Sequence, residues 1–471
     1  MTAAEPIALL DMDIRSPERS ERGERIDCYA LPETDLSRYP LVVVSAAIDQ
    51  EFLARHREVI RRYLDGGGVL LFGGQLHRDW LSGTSPFVPL ARPSLEAYRV
   101  AELAPHPIFD GVEPDDLTFR RGVAGFFARG HHPPPPGAEV LVRLAGGEPA
   151  TYIDRVSTAG TIVVHANGDL LGYDGLPDST ASRLSGQFID WALAESTARR
   201  AAPGHPHPHP HPAGCAFEHG ESRIRARRVH QSDTETGVPD RPATSAWDEP
   251  GGIGPAGGGL GPAGGGLAAV YGGSAPHHRA LTTPKYARHL TGGLRYLPEL
   301  ADTDLTGLDG LIIPERLHYG LLMRAADRVL ELLDAGGTVF AFAGGEPVPE
   351  FLPGVRCEPR PTNYWWWLEP GADLGLHSPS PEHALFDYVT LRDCTWHFHG
   401  VLDPPDGAEV LVALPSGEAL LYVDRVSTPG TLVVATLDPM SHYGSHFMPA
   451  TERFLDGFLP WAARATARSS R

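Results

Sequence analysis

Cysteine is scarce in this chain: four residues in 471, Cys28, Cys215, Cys357 and Cys394. They do not recur at matching positions, although much else in the chain does. A duplicated disulfide framework is thereby excluded, and the thiols are expected to be reduced. Long apolar runs are absent too. Nowhere do 18 consecutive apolar residues occur, which excludes a helical membrane span. The opening Met1–Leu10 has neither a basic start nor an apolar stretch suited to export, so the expected compartment is the cytoplasm. Positive charge is in deficit, with Lys+Arg 40 against Asp+Glu 59 and a net charge of −19. Nucleic-acid binding is driven by phosphate neutralisation, so that balance argues against a polyanion as the main partner.

What is present is repetition. Gly137-Ala-Glu-Val-Leu-Val142 returns as Gly407-Ala-Glu-Val-Leu-Val412, Asp154-Arg-Val-Ser-Thr158 as Asp424-Arg-Val-Ser-Thr428, and Phe188-Ile-Asp-Trp191 as Phe458-Leu-Pro-Trp461, each displaced by 270 residues. One offset shared by distant blocks means two copies of a whole domain, since stacked short repeats have periods of roughly 20–50 residues. The expected boundaries are 1–195 for copy one, 196–266 for a linker and 267–465 for copy two.

Each copy alternates strand and helix. In copy one the apolar runs Ile7–Leu10, Tyr39–Ser45 and Val69–Phe72 read as buried strands. Phe52, Val59, Ile60, Tyr63 and Leu64 recur at helical spacing between the last two. Gly66-Gly67-Gly68 supplies a left-handed helix stop. Copy two repeats the order with Leu311–Ile313, a helix from Leu321 to Asp334, and Thr338–Phe342. Strand, helix, strand without room for a hairpin is a parallel unit, and continuous apolar strands are covered on both faces. The expected fold is therefore α/β: two tandem doubly wound domains with mainly parallel sheets. Closely spaced later strands, Glu139–Arg143, Ala150–Ile153 and Gly160–His165, predict a partly antiparallel edge. A last amphipathic helix in each copy carries core aromatics, Phe188 and Trp191 in one, Phe454, Phe458 and Trp461 in the other.

The segment between the copies has no apolar periodicity. It holds the tract His205-Pro-His-Pro-His-Pro-His-Pro212 and two Gly-Pro-Ala-Gly-Gly-Gly-Leu phrases, and reads as a disordered linker. Alternating prolines keep the histidines extended and apart, so adventitious metal affinity is the expectation there.

The phrases Leu64-Asp-Gly-Gly-Gly-Val-Leu-Leu-Phe-Gly-Gly74, Leu333-Asp-Ala-Gly-Gly-Thr-Val-Phe-Ala-Phe-Ala-Gly-Gly345 and His106-Pro-Ile-Phe-Asp-Gly111 resemble the class I glutamine amidotransferase-like superfamily. Its nearest flavour is the trehalose-utilisation (ThuA-like) branch and the amidotransferase-like domains attached to some β-galactosidases. The resemblance implies flavodoxin-like domains with a pocket beyond the strands' carboxyl ends. True amidotransferases carry a cysteine on the elbow after the third strand. Here the elbow reads Gly73-Gly74-Gln75 and Gly344-Gly345-Glu346, so Cys–His amide hydrolysis has no nucleophile.

Ligands of open parallel sheets bind at those strand ends. Copy two places Ser274, His277, His278 and Arg279 there, then Glu315, Arg316, His318 and Tyr319, then Glu346, then Asp438, His442, Tyr443 and His446. Cys394–Gly400 reads as a strand, whose alternation sets His397 and His399 on one face. At the offset of 270, Asp438 and His442 correspond to Gly168 and Gly172, and His399 to Arg129. If one copy is active, it is the second. The candidate catalytic set is His318, Glu346, His399, Asp438 and His442. The candidate ligand-binding set is His278, Arg316, Tyr319, Trp365, Trp367 and Tyr443, with Tyr364-Trp365-Trp366-Trp367 suited to a sugar face or to a subunit contact.

The expected function is a non-amidase protein that binds a small polar or saccharide-like ligand in copy two, or acts in assembly. The alternatives are a metal-assisted or acid–base hydrolase or isomerase, and a structural pseudo-enzyme that oligomerises. No cofactor is demanded by the sequence; a divalent metal suits the His/Asp/Glu set. Expected partners are a small polar ligand, the other copy in an intramolecular pseudo-dimer and further copies of the chain, with neither nucleic acid nor membrane.

Overall fold

The computed structural model describes residues 7–12, 23–119, 126–168, 170–173, 178–201, 265–343, 349–360, 373–396, 398–446 and 448–467. The fold is α/β, built on two mostly parallel sheets. Across the first sheet the strands run Glu24–Asp27, Ile7–Asp11, Leu41–Val44, Val69–Gly73 and Thr161–His165 in parallel. Pro149–Asp154, Glu139–Leu144 and Val100–Leu103 then follow antiparallel. The second sheet repeats this: Gly293–Tyr296, Leu267–Tyr271, Gly310–Ile313, Thr338–Phe342 and Thr431–Ala435 are parallel, and the strands beyond them antiparallel.

Alternating side chains on the central strands feed two cores, one on each face. Val69 and Leu71 join the cluster that holds Phe188 and Ala192 of the helix Leu184–Ala201. Leu70 and Phe72 join the cluster of Ile60, Tyr63 and Leu64 from the helix Arg57–Asp65. The second sheet divides in the same way, with Phe454 and Phe458 on one side and Val329, Leu332 and Leu333 on the other. Helices cover both faces, as continuous apolar strands require.

Two expectations change in detail. The helix through Gln50–Asp65 is two, Gln50–Arg55 and Arg57–Asp65, broken at His56, and its counterpart breaks at Ala325. The helix ending copy one, Leu184–Ala201, runs past the expected boundary at 195. Most of the expected linker, the His-Pro tract included, lies outside the described residues. The repeated Asp-Arg-Val-Ser-Thr phrase is a turn: Asp154 accepts from the amides of Val156 and Ser157, and Asp424 from Val426 and Ser427.

The two halves touch through polar contacts that are counterparts of one another. Asp49 and His318 each cap the helix after the third strand, accepting from Phe52 and Leu321 amides. Asp27 and Tyr296 each end an edge strand and sit at the start of the next 3-10 turn. Asp49 accepts a hydrogen bond from Tyr296 at 2.6 Å, and His318 pairs with Asp27 at 3.2 Å. Beside them Gln50 N donates to Gly273 O, and Tyr271 donates to Glu51. Among the described residues no helix is long and apolar enough to cross a membrane.

Candidate functional site

The strand Thr431–Ala435 delivers the chain to Asp438, which stands at the N-cap position of the helix Pro439–Gly444. One helical turn on, His442 returns over Asp438, its Nε2 3.1 Å from Oδ1. His399 comes from a different segment. Its backbone amide donates to Thr436 O, which holds it beside the same turn, and its Nε2 lies 2.9 Å from Asp438 Oδ2. The two imidazole planes are nearly parallel, 9° apart, with centroids 6.5 Å apart. Asp438 is fully buried, and it also meets Arg316 Nη2 at 3.2 Å and Trp396 Nε1 at 3.4 Å. Arg316 leaves the strand Gly310–Ile313 with a left-handed φ of 59° and keeps its guanidinium half in solvent.

Electrostatics follow from this packing. Burial alone would push the Asp438 carboxyl up, but the imidazoles of His442 and His399 outweigh it and hold it well below the usual carboxylate range. Burial lowers His442, with Asp438 only partly opposing it. Glu315, next to Arg316, is buried as well. Burial and the Asp438 charge lift its carboxyl to about 8, so it holds a proton at neutral pH. Its Oε1 accepts from Ser441 N, while Oε2 has no hydrogen-bond partner.

Of the sequence-derived candidates, the structure brings together His399, Asp438, His442 and Arg316. It takes others elsewhere. His318 is committed to capping Leu321 and to Asp27 of the other half. His278 faces His77 across the contact between halves, ring centroids 4.6 Å apart. Tyr443 is core, packed on Tyr286 and under the Arg279 guanidinium. Tyr319 opens the helix Tyr319–Arg324 and is half-buried. Glu346, Trp365, Trp367 and His397 lie outside the described residues. The expected strand through Cys394–Gly400 is not one: Leu391–Cys394 is a 3-10 turn and the strand starts at Gly400, so alternation is not what aims His399.

Two residues near the site stand outside the candidate catalytic and ligand-binding sets. His446 lies one turn beyond His442, but the helix ends at Gly444. His446 takes φ 69° and turns its ring to Phe87 of the first half. Arg129, the positional counterpart of His399, reaches across to the carbonyls of Ser445 and His446 at 3.3 and 3.2 Å. Gln75 of the first half donates to Ser445 O as well. Only its alignment with His399 marked Arg129 in the sequence. Two surface clefts, one lined by Phe351, Arg356 and Asp403 and the other by Cys357, Arg360 and Glu418, contain none of the clustered residues.

No family model matches the chain, and no curated protein matches it. Among solved structures it is similar to the exo-β-1,4-mannosidase Op5Man5 from Opitutaceae bacterium strain TAV5, at 11% identity and a TM-score of 0.25. That likeness covers 42% of this chain and 35% of the mannosidase. It supports no conclusion about activity.

Proposed function

We propose that the chain is a non-amidase protein of two tandem flavodoxin-like, amidotransferase-like domains, and that the second binds a small polar ligand at the His399–Asp438–His442 centre. The strand order of the parallel part, second–first–third–fourth–fifth in each half, supports the flavodoxin-like reading. The observation that carries the function is convergence: three polar side chains from two separate segments meet within 4.8 Å of one another. An ionised carboxylate, a neutral imidazole and a half-exposed guanidinium offer acceptors and donors to a hydroxyl- or carboxylate-rich molecule. The same groups favour the metal-assisted or acid–base hydrolase as second reading, because a carboxylate that orients an imidazole is the working unit of proton transfer. A thermal-shift screen of monosaccharides, uronic acids and small hydroxy acids tests binding. At least one compound should raise Tm in the native chain and not in Asp438→Asn. If none does, the ligand-binding reading falls.

A further inference from the structure

We propose that His399 Nε2, His442 Nε2 and one Asp438 oxygen bind a divalent transition-metal ion of the Mn²⁺-to-Zn²⁺ series. This deepens the ligand-binding reading and rests on it for the ion's purpose, though not for its presence.

The distances fit. Ligand atoms about 2.0–2.1 Å from a tetrahedral ion stand about 3.3 Å from one another. Here His399 Nε2 lies 2.9 Å from Asp438 Oδ2 and His442 Nε2 lies 3.1 Å from Oδ1, and one donor atom from each residue lies within 4.8 Å of the others. Side-chain turns of about an ångström, with one carboxylate oxygen moving between the two imidazoles, would close the set on an ion. Two imidazoles with one carboxylate select a transition ion over calcium or magnesium, which prefer all-oxygen cages.

A second observation points the same way. Glu315, next to Arg316 and bonded to Ser441 N beside His442, is 1% exposed and leaves Oε2 unanswered. Buried polar atoms without partners are rare in native proteins. A water bound to an ion at Asp438 would answer that oxygen. Three protein ligands leave coordination positions open to a small oxygen-rich molecule. Arg316 is the competitor: its guanidinium holds Asp438 Oδ2, but with 42% of its side chain exposed it can withdraw to water.

The experiment uses the full chain with the four tract histidines, 205, 207, 209 and 211, changed to Gln, which removes stray affinity. Titration with CoCl2, read by visible absorption, and with ZnSO4, read by calorimetry, should show one ion per chain. His399→Ala and His442→Ala should each weaken uptake at least about 100-fold. Glu315→Gln should weaken it less, and Arg316→Gln should tighten it severalfold by freeing the carboxylate. Tightening in Arg316→Gln excludes general misfolding as the cause of the other losses. No uptake above background, or uptake unchanged in His442→Ala, overturns the metal site. A small molecule that raises Tm in the metal-free chain would then leave the ligand reading standing. One ion bound with no small-molecule response in either state retires the ligand reading alone.

Discussion

Replacing Asp49 by Ala should destabilise the protein by about 3 kcal/mol, part of it at the contact between the halves. The side chain is fully buried. One oxygen caps a helix by accepting from Phe52 N at 3.0 Å; the other accepts from Tyr29 and Tyr296 hydroxyls at 2.9 and 2.6 Å. Loss of a cap costs about 1 kcal/mol, and each sheltered hydroxyl left unanswered costs about 1–3 kcal/mol. Against this, burial pushes the Asp49 carboxyl up, so removing it relieves part of a desolvation cost and the total falls to the lower end of the sum. Asp49→Asn retains an acceptor and the cap and should lose about 1 kcal/mol. The informative measurement is a double-mutant cycle of Asp49→Ala with Tyr296→Phe, by urea unfolding followed through tryptophan fluorescence. Asp49 and Tyr296 are far apart in sequence, so a coupling of about 1–2 kcal/mol isolates one bond across the interface. Strictly additive losses would refute it.

Further expectations follow from other buried groups. His277 is 1% exposed and burial depresses its imidazole to about 4. The unfolded chain then binds the extra proton first, so stability is complete above pH 6.5 and is lost as pH falls toward 4, by roughly 3 kcal/mol. Urea midpoints across that window should flatten in His277→Asn. A Cβ at Gly430 would lie 2.3 Å from Gly337 O and 2.7 Å from Leu333 O; Gly430→Ala should lower stability by about 2–3 kcal/mol, read as a fall in Tm. Arg129→Ala leaves the carbonyls of Ser445 and His446 short of a donor and should speed hydrogen exchange in the helix Pro439–Gly444, an effect absent if that contact is idle.

The parallel core was readable because its strands are continuous apolar runs: Val69–Phe72 and Thr338–Phe342 match the observed strands to within a residue. The edge strands Glu24–Asp27 and Gly293–Tyr296 were not, because Glu-Arg-Ile-Asp and Gly-Leu-Arg-Tyr carry too few apolar residues to show a period. Gly160 and Gly430 recur for a reason the sequence hides: each lies against a backbone carbonyl, Gly68 O in one half and Gly337 O in the other. At the site, Asp438 and His442 were legible as residues just past a strand. Arg129 was hidden because it belongs to the opposite half, and pairings across halves leave no local spacing. His318 misled for the complementary reason: an imidazole at a strand end serves equally well as a helix cap, and only the partner surface decides between the two.

The two unlike bridges between the halves carry one more implication. In a symmetric dimer each bond is made twice from identical parts. Here one copy offers an acid at both places, Asp27 and Asp49, while the other offers Tyr296 and His318. Self-pairing of the first kind would press two carboxylates together away from water; self-pairing of the second would set a phenol against an imidazole with no anion between them. Within one polypeptide the halves thus meet as lock and key at these two places, each fitted to the other and ill-suited to a copy of itself.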